Sequence, residues 1–341
     1  MSKVYFYKTK SVDFIEISEI AKSLLKRISD ENNISFHENV PIKVHFGEEG
    51  NITYIPAIAY EGIIDYLESK NVRSSFIETN VLYRGSRTTR TRHTKLAIEH
   101  GFTRLPIIIA DGELGEDYYE EEINKLYFDK CKIGLAFKDY SQYIVCSHFK
   151  GHVIAGFGGA VKQLAMGFSA RSGKMAQHSQ MQPTVFESQC ISCGDCIEKC
   201  DVGAIKLDGK AYIDKSLCIG CAICIAVCNI GAINHDWNAD HFLEKLAEYA
   251  YAAAIGKENI YINFVQNITK DCDCFSTQMS PLTDNIGLLI SLDPVAIDTA
   301  CLDILQEQIG SKIFDSGRKT LEYSEELGLG SRKYDLVRCN K

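Results

Sequence analysis

Eight of the chain's fourteen cysteines lie in one duplicated pattern. CISCGDCIEKCDVGAI begins at Cys190 and CIGCAICIAVCNIGAI at Cys218, so every cysteine of the first copy recurs 28 positions on. Each copy reads C-x-x-C-x-x-C-x-x-x-C, the spacing in which three thiolates surround one iron-sulfur cube and the fourth reaches across to another. The expected wiring is therefore crossed. Cys190, Cys193, Cys196 and Cys228 form one 4Fe-4S ligand set, and Cys218, Cys221, Cys224 and Cys200 the second. A structural zinc site also uses C-x-x-C pairs, but zinc takes four ligands in a tetrahedron. Two close-spaced triples, each with a lone cysteine, leave zinc with ligands to spare.

Residues 183–236 resemble bacterial-type two-cluster ferredoxins. One departure is that Asp201 and Asn229 follow the fourth cysteines, where such proteins usually carry proline. Without proline the turn regains a backbone donor, which changes hydrogen bonding to the cluster sulfurs and leaves ligation intact. A chain of 341 residues is too long to be a ferredoxin alone, and the remainder suffices for a sizeable core. The net charge of −8 argues against nucleic acid as a general partner. The opening MSKVYFYKTK lacks the apolar region of a secretory signal, and no apolar run approaches the ~20 residues that span a bilayer. The expectation is a soluble, cytoplasmic protein with no membrane partner. Its cysteines serve as metal thiolates in a reducing compartment, as in an anaerobic host.

Outside the repeat, short β-branched runs alternate with longer amphipathic ones. Strands are expected at 4–7, 40–46, 73–78, 107–110, 133–137 and 143–148, with helices at 15–28, 56–69, 89–100 and after Gly159. The alternation resumes with a helix at 239–255, strands at 260–265 and 286–291, and a helix opened by Asp293 as N-cap and Pro294 as first helical residue. This predicts an α/β fold: a mostly parallel sheet with flanking helices, interrupted by a small two-cluster ferredoxin-like (α+β) insertion. The expected division is 1–182 for the first part of the α/β domain, 183–236 for the insertion and 237–341 for the completing part. The polar stretch 172–187 reads as the surface connection into the insertion.

A second concentration of chemistry lies in SHFKGHVIAGFGGAVKQLAMG at 147–167, where His148, Lys150, His152 and Lys162 surround Gly151, Gly156, Gly158 and Gly159. Gly158 and Gly159 let backbone approach a ligand, and the following helix N-terminus favours an anion. GFGGAVK matches neither the P-loop nor the dinucleotide fingerprint, so a nucleotide cradle and a hydride-transferring dehydrogenase are weak alternatives. His45 ends a predicted strand, a common place for active-site groups. Cys272 and Cys274 form C-x-C in a polar stretch, expected to be exposed, with a ligand or redox role. Arg84, Arg87, Arg90 and Arg92 with His93 make a basic run that reads either as a solvated face or as an anion subsite at Arg87. Asp298 is a lone acid in PVAIDTAC, suited to capping something buried or to a helix surface. Cys131, Cys146, Cys301 and Cys339 have no ligand spacing and are assigned to packing.

Several segments together resemble the iron-sulfur proteins grouped as domain of unknown function 362. They are KVHFGEEG at 43–50, TNVLYRGSRTTRTRH at 79–93, SHFKGH with GFGGAVKQLAMG, KMAQHSQ at 174–180, DCDC at 271–274 and SLDPVAIDTA at 291–300. The resemblance spans nearly the whole chain and implies little about reaction. A more distant likeness is to the lactate racemase superfamily. His152 lies ten residues before Lys162 and His178 sixteen after it, with Gly-Gly just before the lysine. That resemblance implies a nickel pincer nucleotide as a possible cofactor, with Lys162 bearing it and His178 binding metal.

The leading reading is an oxidoreductase of unassigned substrate in which two 4Fe-4S clusters exchange electrons with a second metal or substrate site. His45, His148, His152, Lys162, His178, Cys272 and Cys274 are its candidate residues. The partner is then a redox protein or a small-molecule substrate. The rival reading is a non-catalytic electron carrier or a metal or cluster delivery protein, which needs no pocket of histidines and thiols.

Overall fold

The computed structural model describes residues 1–178, 182–234, 240–274 and 278–339. Its frame is an eight-stranded sheet of β1 (Ser2–Lys8), β2 (Ile42–Lys43), β3 (Phe76–Glu78), β4 (Ile107–Ile109), β5 (Gln142–His148), β6 (Glu258–Val265), β7 (Gly287–Ser291) and β8 (Tyr334–Arg338). The spatial order is β8-β1-β7-β6-β5-β2-β3-β4. Only β7 runs against its neighbours, β1 and β6, and the other adjacent pairs are parallel. Strands β5 and β6 are apolar runs buried on both faces, as central parallel strands must be.

Helices cover both faces. Phe14–Asn32 and Glu61–Ser69 bury Leu24, Leu25, Ile63 and Leu67 on one side. Ala160–Phe168, Phe242–Ala254 and Pro294–Ile309 bury Leu164, Leu246 and Val295 on the other. The last of these starts as expected, with the Asp293 carboxylate accepting from the amides of Val295 and Ala296 at 2.9 Å each. Five adjacent strands, β6, β5, β2, β3 and β4, point the same way, so their C-terminal ends deliver their following loops to one edge of the sheet. Ligand sites of open α/β sheets form there.

Residues 182–234 form a small unit of two hairpin-like sheets, Thr184–Val185 with Ile233–Asn234 and Ile205–Asp208 with Lys210–Ile213. Two short helices, Asp195–Glu198 and Ile223–Val227, complete it. The duplication persists in the backbone. Left-handed φ recurs at Ser192 and Gly220, at Gly194 and Ala222, and at Gly203 and Gly231, each pair 28 residues apart. Non-glycine residues rarely adopt this conformation, so its retention at Ser192 and Ala222 reflects a tight wrap that both copies must make. The unit has its own core of cysteine and aliphatic side chains, into which Leu82 and Met175 of the main fold insert.

Several expectations need correcting. The strand expected at 133–137 is instead the end of Lys130–Gly134, which pairs with Tyr118–Glu122 in a hairpin outside the main sheet. The stretch starting at 172 is no surface connection: Arg171–His178 is a helix buried along its length. Its polar residues pair inside the protein, as Lys174 does with Thr79 Oγ1 and the Ser169 carbonyl. The helix Arg318–Glu326 and strand β8 went unforeseen because their sequences are mostly polar and half-exposed. The boundary expected at 236/237 lies outside the described residues. No helix among the described residues is long and apolar enough to cross a membrane.

Candidate functional site

A cavity of about 980 Å³ opens at the C-terminal ends of the parallel strands, large enough for a small organic ligand. His45, His148, His152, Lys162, His178, Cys272 and Cys274 all line it, as do Gly158, Gly159 and Arg87. Residues more than 200 positions apart in sequence are brought together because each follows a different strand or caps a neighbouring helix.

The C-x-C segment is anchored by the residue between its cysteines. Asp273 is fully buried, and its Oδ2 lies 2.7 Å from His148 Nδ1 and 3.0 Å from Lys150 Nζ. Burial alone would raise this carboxyl, but His148 and Lys150 outweigh it and hold the group well below the usual carboxylate range. The other ring nitrogen of His148 donates to the Gln266 carbonyl at 2.7 Å. Both nitrogens thus face acceptors, which leaves no lone pair for a metal. His148, expected as a ligand or catalytic group, is placed as a positioning residue.

Cys272 is 3% exposed rather than on the surface, and Cys274 is half-buried. The two are joined as a disulfide. A ring nitrogen of His152 and both sulfurs lie within 4.8 Å of one another. His152 Nδ1 accepts from the amides of Ala155 at 3.0 Å and Ile154 at 3.3 Å. Burial, with Lys162 nearby, keeps the ring neutral, so its proton sits on Nε2. The trio becomes a soft-metal donor set only when the disulfide opens and the ring releases a lone pair.

Gly158 and Gly159 line the cavity, but the helix start beyond them is already filled. Asp298 accepts from the amides of Ala160 at 2.7 Å and Val161 at 2.9 Å, and also from Asn263 Nδ2 at 2.7 Å. A side chain at Gly159 would place its Cβ 2.4 Å from Asp298 Oδ1. The glycine makes room for the protein's own carboxylate, which displaces the anion expected at this helix terminus. The acid in PVAIDTAC is thus a buried cap rather than a helix-surface residue.

The anion-binding capacity lies instead in side chains. Among the described residues no hydrogen bond or ion pair engages the Lys162 ammonium. Burial, and then Lys150, push this amine down to about 7. Arg87 is buried and committed to Glu48 at 3.2 Å, to His45 Nε2 at 2.9 Å and to the Tyr83 hydroxyl. The basic run therefore splits, with Arg84, Arg90 and Arg92 exposed and Arg87 and His93 inside. His93 packs edge-on against Phe46, with centroids 5.5 Å apart. His178 stacks on Phe242 at 4.7 Å.

In the duplicated unit, burial pushes the Cys196 thiol up, and the sulfurs of Cys193, Cys228 and Cys190 add to the effect. Those four line a separate pocket of about 20 Å³. Cys224 is likewise raised by burial, with Cys221, Cys218, Cys196 and Cys200 adding. Backbone amides meet these sulfurs, as Ala204 N does Cys200 Sγ at 3.3 Å and as those of Ala211 and Ser192 do Cys190. Arg171 is fully buried. Its Nη2 donates to the Thr88 carbonyl, while its Nε and Nη1 have no acceptor among the described residues. Burial, offset by Asp111, Glu116, Cys221 and Cys224, takes its guanidinium down to about 10. Clustered thiols, amides directed at sulfur and a guanidinium with two unpartnered nitrogens therefore lie together in this unit.

The unit also borders the cavity. Leu82 lines the cavity and packs among the cysteines, and Arg84 of the cavity wall lies 3.8 Å from the position of a Cβ on Gly231. Sequence reasoning missed Asp273, Glu48 and Arg171. Asp273 was visible as the acid between two flagged cysteines, whereas the other two carried no local signal.

The family described as "Domain of unknown function (DUF362)" matches residues 40–303. Two solved structures are distantly similar. A protein from Thermotoga maritima has 10% identity and a TM-score of 0.42, the match covering 94% of this chain and 60% of that one. The lactate racemase apoprotein from Thermoanaerobacterium thermosaccharolyticum has 14% identity and a TM-score of 0.37, covering 78% of this chain and 51% of that one. The chain thus spans less than two thirds of either structure. No curated protein matches it.

Proposed function

The chain belongs to the DUF362 family, and from that footing we propose that it is an iron-sulfur oxidoreductase whose reaction takes place in the large cavity. Cys190, Cys193, Cys196 and Cys228 would hold one 4Fe-4S cluster, and Cys218, Cys221, Cys224 and Cys200 the other. Such clusters supply one-electron transfer at potentials set by burial and by hydrogen bonds to sulfur. The observation that carries the reading is the shared wall: Leu82 belongs both to the cysteine core and to the cavity. Arg171 places a buried positive charge within electrostatic reach of Cys221 and Cys224, which would stabilise the more negative, reduced state of a cluster there. A bare electron carrier has no use for a cavity of about 980 Å³ lined by lysines, histidines and a cysteine pair. Protein purified without air is expected to be brown and to contain about eight iron atoms per chain. Colourless, iron-free protein would refute the proposal.

The substrate in this reading is a small anion, held by Lys162. Its ammonium is the form that attracts an anion, and the free amine titrates at about 7. Affinity is therefore full below about pH 7 and falls as pH rises through that value, roughly tenfold per further unit. Calorimetric titration with small carboxylates and phosphate between pH 6 and about 9 measures this. Lys162→Met should remove both the affinity and its pH dependence, and a flat wild-type profile would exclude Lys162 as the anion-binding group.

A further inference from the structure

We infer that Cys272 and Cys274 are a redox-active pair, cycling between disulfide and dithiol and converting one-electron deliveries into a two-electron step inside the cavity. The inference rests on the iron-sulfur reading above for its reductant. Its own support is the local chemistry of the pair.

The two Cα atoms are 5.3 Å apart, within the range a disulfide spans, and Cys272 is out of solvent on the cavity wall. The backbone between the two cysteines is anchored in place, because Asp273 is pinned by His148 and Lys150. The two sulfurs are not equivalent. Cys274 N lies 3.3 Å from Cys272 Sγ, and a backbone N–H directed at a sulfur favours its thiolate, so Cys272 is the better leaving sulfur. Both line the cavity, and Cys274, half-buried, is the more accessible of the two.

His152 completes the site. Because its Nδ1 accepts from two amides, the ring presents an N–H, not a lone pair, as its remaining function. A donor in that position serves a sulfur leaving as thiolate better than it serves a metal ion.

The step balances as follows. The S–S bond would accept two electrons and break, one electron from each of the two clusters that the cysteines of residues 190–228 would hold. Two S–H bonds form with two protons from water in the cavity, while the His152 Nε2–H donates a hydrogen bond to the sulfur leaving as thiolate and keeps its own proton. The dithiol then passes two electrons and two protons to an acceptor bound near Lys162, and the disulfide reforms.

Stoichiometric reductive titration under argon tests this, combined with alkylation of the peptide carrying both cysteines and an iron count. The wild type is expected to take up about four electrons per chain, two for the clusters and two for the pair. Cys274→Ser should take up about two at the same iron content, which also shows that the variant has folded. Alkylation of Cys272 and Cys274 should go from near none before reduction to near complete after it. His152→Leu, which removes the hydrogen-bond donor, should leave the electron count unchanged and slow reduction of the pair roughly a hundredfold.

Equal electron counts in wild type and Cys274→Ser, with iron present, overturn the inference and leave the iron-sulfur reading standing. So does alkylation of both thiols before reduction, or a bound zinc or nickel ion lost on substitution, which would make the pair a metal ligand. Iron-free wild-type protein overturns both.

Discussion

On the proposed two-cluster reading, replacing Cys228 with serine is expected to destroy the cluster built on the first cysteine copy, not the one built on its own copy, cutting iron from about eight to about four per chain. The reason lies in how the two copies face each other. Cys228 joins Cys190, Cys193 and Cys196 around one small pocket, and Cys200 is among the sulfurs that act on Cys221 and Cys224. A single substitution cannot show which cluster is lost, but pairs can. Cys193→Ser with Cys228→Ser strikes one cluster twice and should keep about four iron atoms. Cys221→Ser with Cys228→Ser strikes both and should keep almost none. Uncrossed ligation predicts the reverse for the two pairs, so iron analysis of four proteins decides the wiring. Because ligation and folding are coupled in small metal units, loss of either cluster should also raise the protease sensitivity of residues 182–234, while the main sheet keeps its own core.

How far such a site can be read from sequence depends on whether its determinants are local. The cysteine spacing is local, and so are the strand and helix periods, which is why the order of most sheet strands and the identities of His152, Lys162 and the C-x-C pair were legible. What sequence could not show was commitment. Gly158 and Gly159 looked like an open anion cradle, and only the fold reveals that Asp298, about 140 residues away, already occupies the amides. His148 looked available until the Asp273 carboxylate and the Gln266 carbonyl claimed its two nitrogens. Arg87 sits in a run of four arginines, and nothing local distinguishes it as the one drawn inside by Glu48. The first part of the polar stretch 172–187, which lies in the helix Arg171–His178, was misread for the same reason. Lys174 donates to Thr79 Oγ1 and Arg171 to the Thr88 carbonyl, both from other parts of the chain, so polarity there marks a buried network rather than a surface.

Asp273 is the residue on which this hidden network turns, and its substitution should be among the most costly in the chain. Asp273→Asn preserves shape but faces His148 and Lys150 with a neutral amide, one end of which is itself a donor. Breaking a buried pair by removing one charge costs about 3–5 kcal/mol, and here two basic groups lose the same partner. The sign of the pH dependence follows from the direction of the shift. A carboxyl held well below its ordinary value stabilises the fold above the unfolded value of about 4 and loses that contribution as pH falls through the folded one. Wild-type protein should therefore lose stability between pH 5 and more acidic conditions, and Asp273→Asn, weaker at pH 7, should show a flatter acid limb. The neighbouring Asp271 makes the comparison sharp, since it is half-buried and no ion pair engages it among the described residues. Asp271→Asn should change stability by less than about 0.5 kcal/mol. Anaerobic urea unfolding of the three proteins at pH 7 and about pH 3 makes the measurement. If both substitutions cost the same, Asp273 does not anchor the cysteine pair, and the loop must be held by its backbone bonds, such as that of Glu48 N to the Asp273 carbonyl at 3.2 Å.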